Sequence, residues 1–362
     1  MDPLTILAIN PGSTSTKIAL FEEDREVWSE TQRYDVDVLR HYAGIPAQEP
    51  FRLEEILKAL VTHETDVHGI DAFVGRGGLL CPIPGGTYAV NDKMLHDLRP
   101  CAYGSHASNL GAPLAKRLAD EAGGKPAFIV DPVVVDELIE EARLSGLPEI
   151  QRKSIFHALN QKAVARRAAT DLGKEYEDVN FIVAHMGGGI SVGAHEKGKV
   201  VDVNNALDGE GPFSPERAGS LPAGELAKLA FSGEIELDEL LRRITGGGGL
   251  VAHLGTNDLR EVERLRKEGD EKADLIFRAM TYAVSKEIAA SAAVLKGQVD
   301  LVVLTGGLAN SEAFTEAIKE RVSFIAPVKV YPGEDEMKAL AEGALRVLRG
   351  KEEAKEYQGK PR

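Results

Sequence analysis

Apolar and polar positions along this 362-residue chain switch repeatedly between a two-residue and a helical period. An apolar run at 6–9 enters a turn of Asn10, Pro11, Gly12 and four hydroxyl residues, and after Lys17 a second apolar run covers 18–21. This predicts two strands closed by a tight polar turn. About half a chain later the plan recurs, with strand 181–184, the turn His185-Met186-Gly187-Gly188-Gly189, strand 190–194, a further turn at 196–198 and strand 200–203. Two such copies predict a duplicated nucleotide-binding unit of the three-strand type. A third element, 300–310, predicts a buried strand opening into Gly306-Gly307, with a helical pattern at 312–322 behind it.

Between these landmarks the period is mostly helical. Residues 53–62 and 91–98 read as amphipathic helices, 72–75 as a short strand, and 106–122 as a helix running into Gly123-Gly124. Strand 128–130 delivers Asp131 to its C-terminal end, and a helix is predicted through 133–140. Helices follow at 154–171, 225–230 and 238–244, then a flexible glycine loop at 246–249. The stretch 260–296 reads as strongly helical, with an Ala-rich part at 288–295 that suits burial on most sides. A last helix is predicted at 336–348, and the tail 351–362 reads as frayed and solvated. Alternating strands and helices are the signature of an α/β protein.

Length favours two domains, each able to bury its own core. The net charge of −14 argues against nucleic acid or an anionic membrane as the main partner. A chain with that balance must concentrate positive charge locally to hold an anion, so individual arginines are informative. Cys81 and Cys101 are the only cysteines, and as free thiols they suit a reducing compartment. The start lacks a cleavage-signal pattern and no apolar run approaches 18 residues, so the expected location is cytoplasmic.

The first turn offers backbone N–H groups, hydroxyls and an ammonium on one side, through Asn10, Gly12, Ser13, Ser15 and Lys17. That is equipment for a polyphosphate, and Gly12 lets the backbone approach the anion without a Cβ in the way. Gly187, Gly188 and Gly189 repeat the device, opened by His185. Gly306, Gly307 and Asn310, at a strand end just before a helix, can receive an adenosine or ribose face. Gly247-x-Gly249-x-x-Ala252 fits a loose dinucleotide fingerprint but follows a helical pattern, so it is set aside.

Together these three elements resemble the sugar kinase, Hsp70 and actin superfamily and, within it, the acetokinase family. Asn10 stands where most of the superfamily carries Asp, and the run Asn10-x-Gly12-Ser13-x-Ser15-x-Lys17 is similar to the acetokinase version of the turn. Longer blocks resemble the butyrate-phosphorylating branch of that family: GRGGLLCPIPGGTYAVN at 75–91, HASNLGAPLA at 106–115, IVDPVVVDEL at 129–138, PEIQRKSIFHALNQKAVAR at 148–166, SPERAGSLPAGEL at 214–226, GGGGLVAHLGTNDLREV at 246–262 and YPGEDEMKALAEGAL at 331–345. The resemblance implies an α/β fold of two duplicated actin-like (ribonuclease H-like) domains with a nucleotide cleft between them. It divides the chain into 1–135 plus 341–362 and 136–340.

It further implies reversible phosphoryl transfer from ATP to the carboxylate of butyrate or a related short- or branched-chain acid, with Mg²⁺. A carboxylate is already ionised at neutral pH, so its site needs cations and neutral donors rather than a base; Asn10 in place of Asp fits that demand. The resemblance assigns Arg76 to the substrate carboxylate or the transferring phosphoryl group, and Arg217 to charge on the phosphoryl in flight. His157 becomes a donor to the phosphoryl oxygens, and Asp131 orients the active-site arginine or reaches Mg²⁺ through water. Of Glu334, Asp335 and Glu336, the last is favoured for the metal. Leu79, Leu80, Ile83 and Pro84 are the nearest candidates for an apolar acyl pocket. An acetate or propionate kinase is the alternative within enzymes, and a nucleotide-gated binding protein the alternative outside them. A homo-oligomer is expected, from the family.

Overall fold

The computed structural model describes residues 3–360, which divide into two compact units, 3–135 with 335–360, and Asp136–Glu334. In the first, strands β1 (Thr5–Pro11), β2 (Ser15–Glu22) and β3 (Arg25–Arg33) form an antiparallel meander. Strands β4 (Ala72–Arg76) and β6 (Ala127–Val130) extend it in parallel from β1. β5 (Thr87–Ala89) and a two-residue strand at Lys355–Glu356 complete seven strands in the order tail–β5–β6–β4–β1–β2–β3. Helix α1 (Glu49–Thr62) lies beside α2 (Gly111–Glu121), which packs on β1, β4 and β6. The last helix, Glu336–Leu348, packs against the same three strands. Leu7 and Ile9 join the core shared with α2, while Ile6 and Ala8 are equally buried. A strand buried on both faces reads as a continuous apolar run, which is how 6–9 reads.

The second unit repeats the plan. β7 (Asn180–Met186), β8 (Ile190–Glu196) and β9 (Lys199–Val203) form the meander, and β10 (Leu301–Gly306) and β11 (Val328–Pro332) extend it in parallel, in the order β11–β10–β7–β8–β9. Helix α3 (Ala158–Asp171) meets β7 and β10, where Phe181, Val183, Leu301 and Val303 pack with Ala165 and Ala168. The alternate residues Ile182, Ala184 and Met186 pack instead with Phe277, Met280 and Val284 of α4 (Glu271–Val294). Successive side chains on a strand point to opposite faces, so one run feeds both layers. The sheets share one topology, in which β4 ending at Arg76 corresponds to β10 ending at Gly306.

Several expected elements take a different form. The helix expected from Ser154 begins at Ala158, leaving His157 at its N-terminal edge. The stretch at 260–296 breaks into Leu259–Lys267 and α4, because Gly269 at φ 89° carries the chain between them and Asp270 caps α4. Its Ala-rich end is buried along one face only, through Ile288 and Ser291. No helix forms through 133–139; after Pro132, the β-branched run is extended enough for Val135 to bridge Ile83. The tail is mostly exposed, as expected, but it is not frayed: Tyr357 is 1% exposed and its hydroxyl donates to Asp97 at 2.8 Å, while Asn91 donates to the Tyr357 carbonyl. The last helix lies whole within the first unit, so a division at 340/341 would cut it. Among the described residues, no helix is long and apolar enough to cross a membrane.

Candidate active site

In the first unit the β1–β2 turn is closed by the Gly12 N–H donating to the Ser15 carbonyl at 2.7 Å. Beneath it lies Arg52 of α1, 0% exposed. Its guanidinium donates to the carbonyls of Gly12 and Ser15 (both 2.8 Å) and Ser13 (3.1 Å), to the Thr16 hydroxyl, and to Gln48. The Tyr34 ring covers it at 5.0 Å. Burial pulls its pKa below the usual arginine value, yet a guanidinium remains charged. No carboxylate among the described residues pairs with it. The turn's carbonyl oxygens are thus tied down from behind, while Ser13, Thr14 and Lys17 stay exposed. Sequence reasoning missed Arg52. The signal was a charge on the buried stripe of an amphipathic helix, in line with Ile56 and Ala59.

Arg76 ends β4 beside the end of β1. Its guanidinium grips Glu336 with both terminal nitrogens, at 3.1 Å each, and lies 3.4 Å from the Asn10 carbonyl oxygen. Asn10 donates its amide to Glu336 at 2.6 Å. Asn10, Arg76 and Glu336 therefore form one cluster, and the carboxylate that orients Arg76 is that of Glu336. Asp131 sits at φ 35°, 2% exposed, and accepts from the Gly86 N–H at 2.6 Å. His106 caps a short 3-10 helix through Ser108; burial, then the nearby Arg76 charge, lowers its pKa. Leu80 and Ile83 belong to the core and Leu79 packs at its margin, whereas Pro84 is exposed.

The second unit has a matching turn. The Gly187 N–H donates to the Gly189 carbonyl at 2.9 Å, and the Gly188 carbonyl accepts from the Ser214 hydroxyl (2.6 Å) and the Glu216 N–H (3.3 Å). Arg217 lies against this turn, donating to the Ala206 carbonyl at 2.6 Å. A Cβ on Gly189 would overlap its guanidinium, which is why glycine stands there. Burial lowers the Arg217 pKa, and its buried Nε has no hydrogen-bond partner among the described residues. Such an orphaned donor is costly unless a ligand takes it. The loop expected to be flexible at 246–249 is instead wedged beneath this segment. Gly248 donates to the Glu216 carbonyl, and Gly249, at φ 58°, comes so close to the Ser214 carbonyl that a side chain could not fit.

His157 and His185 stack with ring centres 3.8 Å apart. His157 Nδ1 lies 2.9 Å from the Ser191 hydroxyl. His185 Nδ1 lies 2.7 Å from the Asn160 carbonyl oxygen, and Asn160 donates to the Glu334 carbonyl. Gly306 turns β10 away at φ 89°, and Asn310 donates to the Gly307 carbonyl at 2.9 Å. A cavity of about 690 Å³ opens here, lined by Gly187, Gly188, Glu216, Asn257, Gly307 and Asn310 among others. Its size suits a nucleoside. The structure therefore gathers His157, His185, Gly187–Gly189, Arg217 and Gly306–Asn310 in the second unit, and Asn10, the 12–15 turn, Arg76 and Glu336 in the first. Among the described residues, no three His, Cys, Asp or Glu side chains converge as a metal cage.

Residues 144–334 match the model of the Acetokinase family. Butyrate kinase 2 of Clostridium acetobutylicum is 58% identical over 352 residues, covering 97% of this chain and 99% of its own. The acetate kinase of Porphyromonas gingivalis superposes with a TM-score of 0.80 at 21% identity, over 95% of this chain and all of its own. A propionate kinase from Francisella tularensis gives 0.74 at 19% identity, over 94% of this chain and 98% of its own. These two likenesses bear out the expected α/β architecture of two actin-like domains.

Proposed function

The chain belongs to the acetokinase family, and from that premise we propose how its residues phosphorylate a short-chain fatty acid. It is a carboxyl-group phosphotransferase, moving the terminal phosphoryl of ATP to butyrate and giving the acyl phosphate and ADP, reversibly. One observation carries the assignment of parts: each unit has a glycine turn whose carbonyl oxygens are bonded from behind, by Arg52 in one and by Ser214 and Glu216 in the other. A turn so held turns its donors to an anion. In the first unit, Ser13, Ser15 and Lys17 face phosphate, and Arg76, already aligned by Glu336, binds an oxyanion through its planar fork. In the second, Gly187–Gly189 and His185 hold phosphate, Gly306, Gly307 and Asn310 receive the nucleoside, and the partnerless Arg217 Nε donates to the phosphoryl in flight. His157 donates to the same group.

The in-line step breaks the bond from the terminal phosphorus to the ADP oxygen and forms one to a carboxylate oxygen. No proton needs removal, so positioning and charge supply the catalysis. Glu336, whose carboxylate is already held by Arg76 and Asn10, would be the residue to hold Mg²⁺, and the ion would supply neutralisation of phosphate charge. Asp131, at the end of β6, holds the Gly86 backbone N–H.

Comparing kcat/KM for acetate, propionate, butyrate and isobutyrate tests the choice of acid. The four-carbon acids are expected to lead acetate, with overlap among neighbours because one methylene discriminates by only about 1–3 kcal/mol. A maximum on acetate would replace this reading with that of an acetate kinase.

A further inference from the structure

β8 carries a polar stripe on a face that should be apolar. Ser191 and His195 point the same way, toward α3, and both are 0% exposed; Ile190, Val192 and Ala194 on the other face belong to the core. Gln161 of α3, also 0% exposed, spans the two. Its Nε2 lies 3.0 Å from the Ser191 carbonyl and 2.8 Å from the Ser191 hydroxyl, and its Oε1 lies 2.9 Å from His195 Nε2. His195 Nδ1 in turn lies 2.7 Å from the Tyr176 hydroxyl. The row runs without a gap from Tyr176 to His157, whose Nδ1 meets Ser191. Burying this many polar groups is costly unless every one is satisfied.

The direction of the row follows from one fixed point. A backbone carbonyl only accepts, so the amide nitrogen of Gln161 must face Ser191. The Gln161 oxygen then faces His195, whose Nε2 must carry a proton to donate. Neutral His195 accepts at Nδ1 from Tyr176. At the other end, the Ser191 hydroxyl takes an N–H from Gln161 on one lone pair; its second lone pair could accept from His157 Nδ1, or its single proton can go to that nitrogen, and the relay takes the second arrangement. A ring that accepts at Nδ1 carries its proton on Nε2.

We infer that Tyr176, His195, Gln161 and Ser191 form a buried one-way relay that fixes His157 as the Nε2–H tautomer, the form that donates to a phosphoryl oxygen. These four are positioning residues acting through His157, and the inference rests on the reading of His157 as a phosphoryl donor. In the opposite tautomer the proton would sit on Nδ1, facing Ser191, and Nε2 would offer a lone pair to an anion.

Histidine-selective ¹⁵N labelling and NMR of the full chain report which ring nitrogen is protonated. Wild type is expected to give His157 protonated on Nε2. Ser191→Ala removes the donor to Nδ1 and is expected to give a mixture of tautomers, with kcat down about tenfold (one hydrogen bond's worth) and KM for ATP within about twofold. Tyr176→Phe, at the far end, should shift His195 first and His157 less, with a smaller fall in kcat. A wild-type His157 protonated on Nδ1, or one whose tautomer ignores both substitutions, would overturn the relay. So would a shifted tautomer with unchanged kcat. Wild type that makes no acyl phosphate would instead sink the functional reading beneath it.

Discussion

At the scale of single residues, the informative side chains are cations buried without a matching carboxylate. Arg52 and Arg217 each lose hydration and are compensated mainly by backbone carbonyls. For Arg52 the compensation is ample, since three carbonyls, a hydroxyl and Gln48 share its donors. Arg52→Met would leave several of those acceptors unpaired at about 1–3 kcal/mol each. Urea unfolding is expected to register a loss of about 3 kcal/mol or more; a loss below about 1 kcal/mol would mean that the turn stands without it. Arg217 differs because its buried Nε has no hydrogen-bond partner among the described residues. Arg76, Arg217 and His157 were singled out from the motifs around them. Arg52 was not, since nothing in its local sequence differs from a surface arginine except its place on the apolar stripe.

At the scale of elements, runs with a strong period were legible and junctions were not. The apolar runs at 6–9 and 181–184 and the strand into Gly306-Gly307 form as their patterns suggest, because burial on both faces leaves no other use for them. The strongly helical reading of 260–296 holds on both sides of a break that was not legible, since a helical period on either side hides a single left-handed glycine. The tail was misread as frayed because Tyr357 is one buried anchor in a polar segment; burial, with hydrogen bonds to Cys81 and Asp97, raises its pKa. The 246–249 loop was misread for want of its partner, as the closeness of Gly249 to Ser214 is visible only once the chain is folded. Gly249→Ala combines a left-handed φ with steric overlap and should cost about 1–3 kcal/mol. Because the loop braces the Arg217 segment, kcat should fall along with the melting temperature. Wild-type values for both would dissociate the loop from the site.

At the scale of the whole molecule, the duplication explains why one chain has two glycine turns, and divergence explains why they differ. Corresponding strands end in Arg76 in one unit and in Gly306 in the other, so one sheet offers a cation where its counterpart offers open backbone. The chain carries a net charge of −14, yet each turn has an arginine against it. That local reversal of sign is what an acidic protein needs to hold a polyphosphate. The central claim is that the phosphoryl goes to a carboxylate and not to water. Phosphorus NMR of the purified protein with MgATP and butyrate follows the transferred phosphorus directly. The account predicts an acyl phosphate resonance growing in step with ADP and only when butyrate is present. Inorganic phosphate released at a rate indifferent to butyrate, with no acyl phosphate at any time, would contradict it.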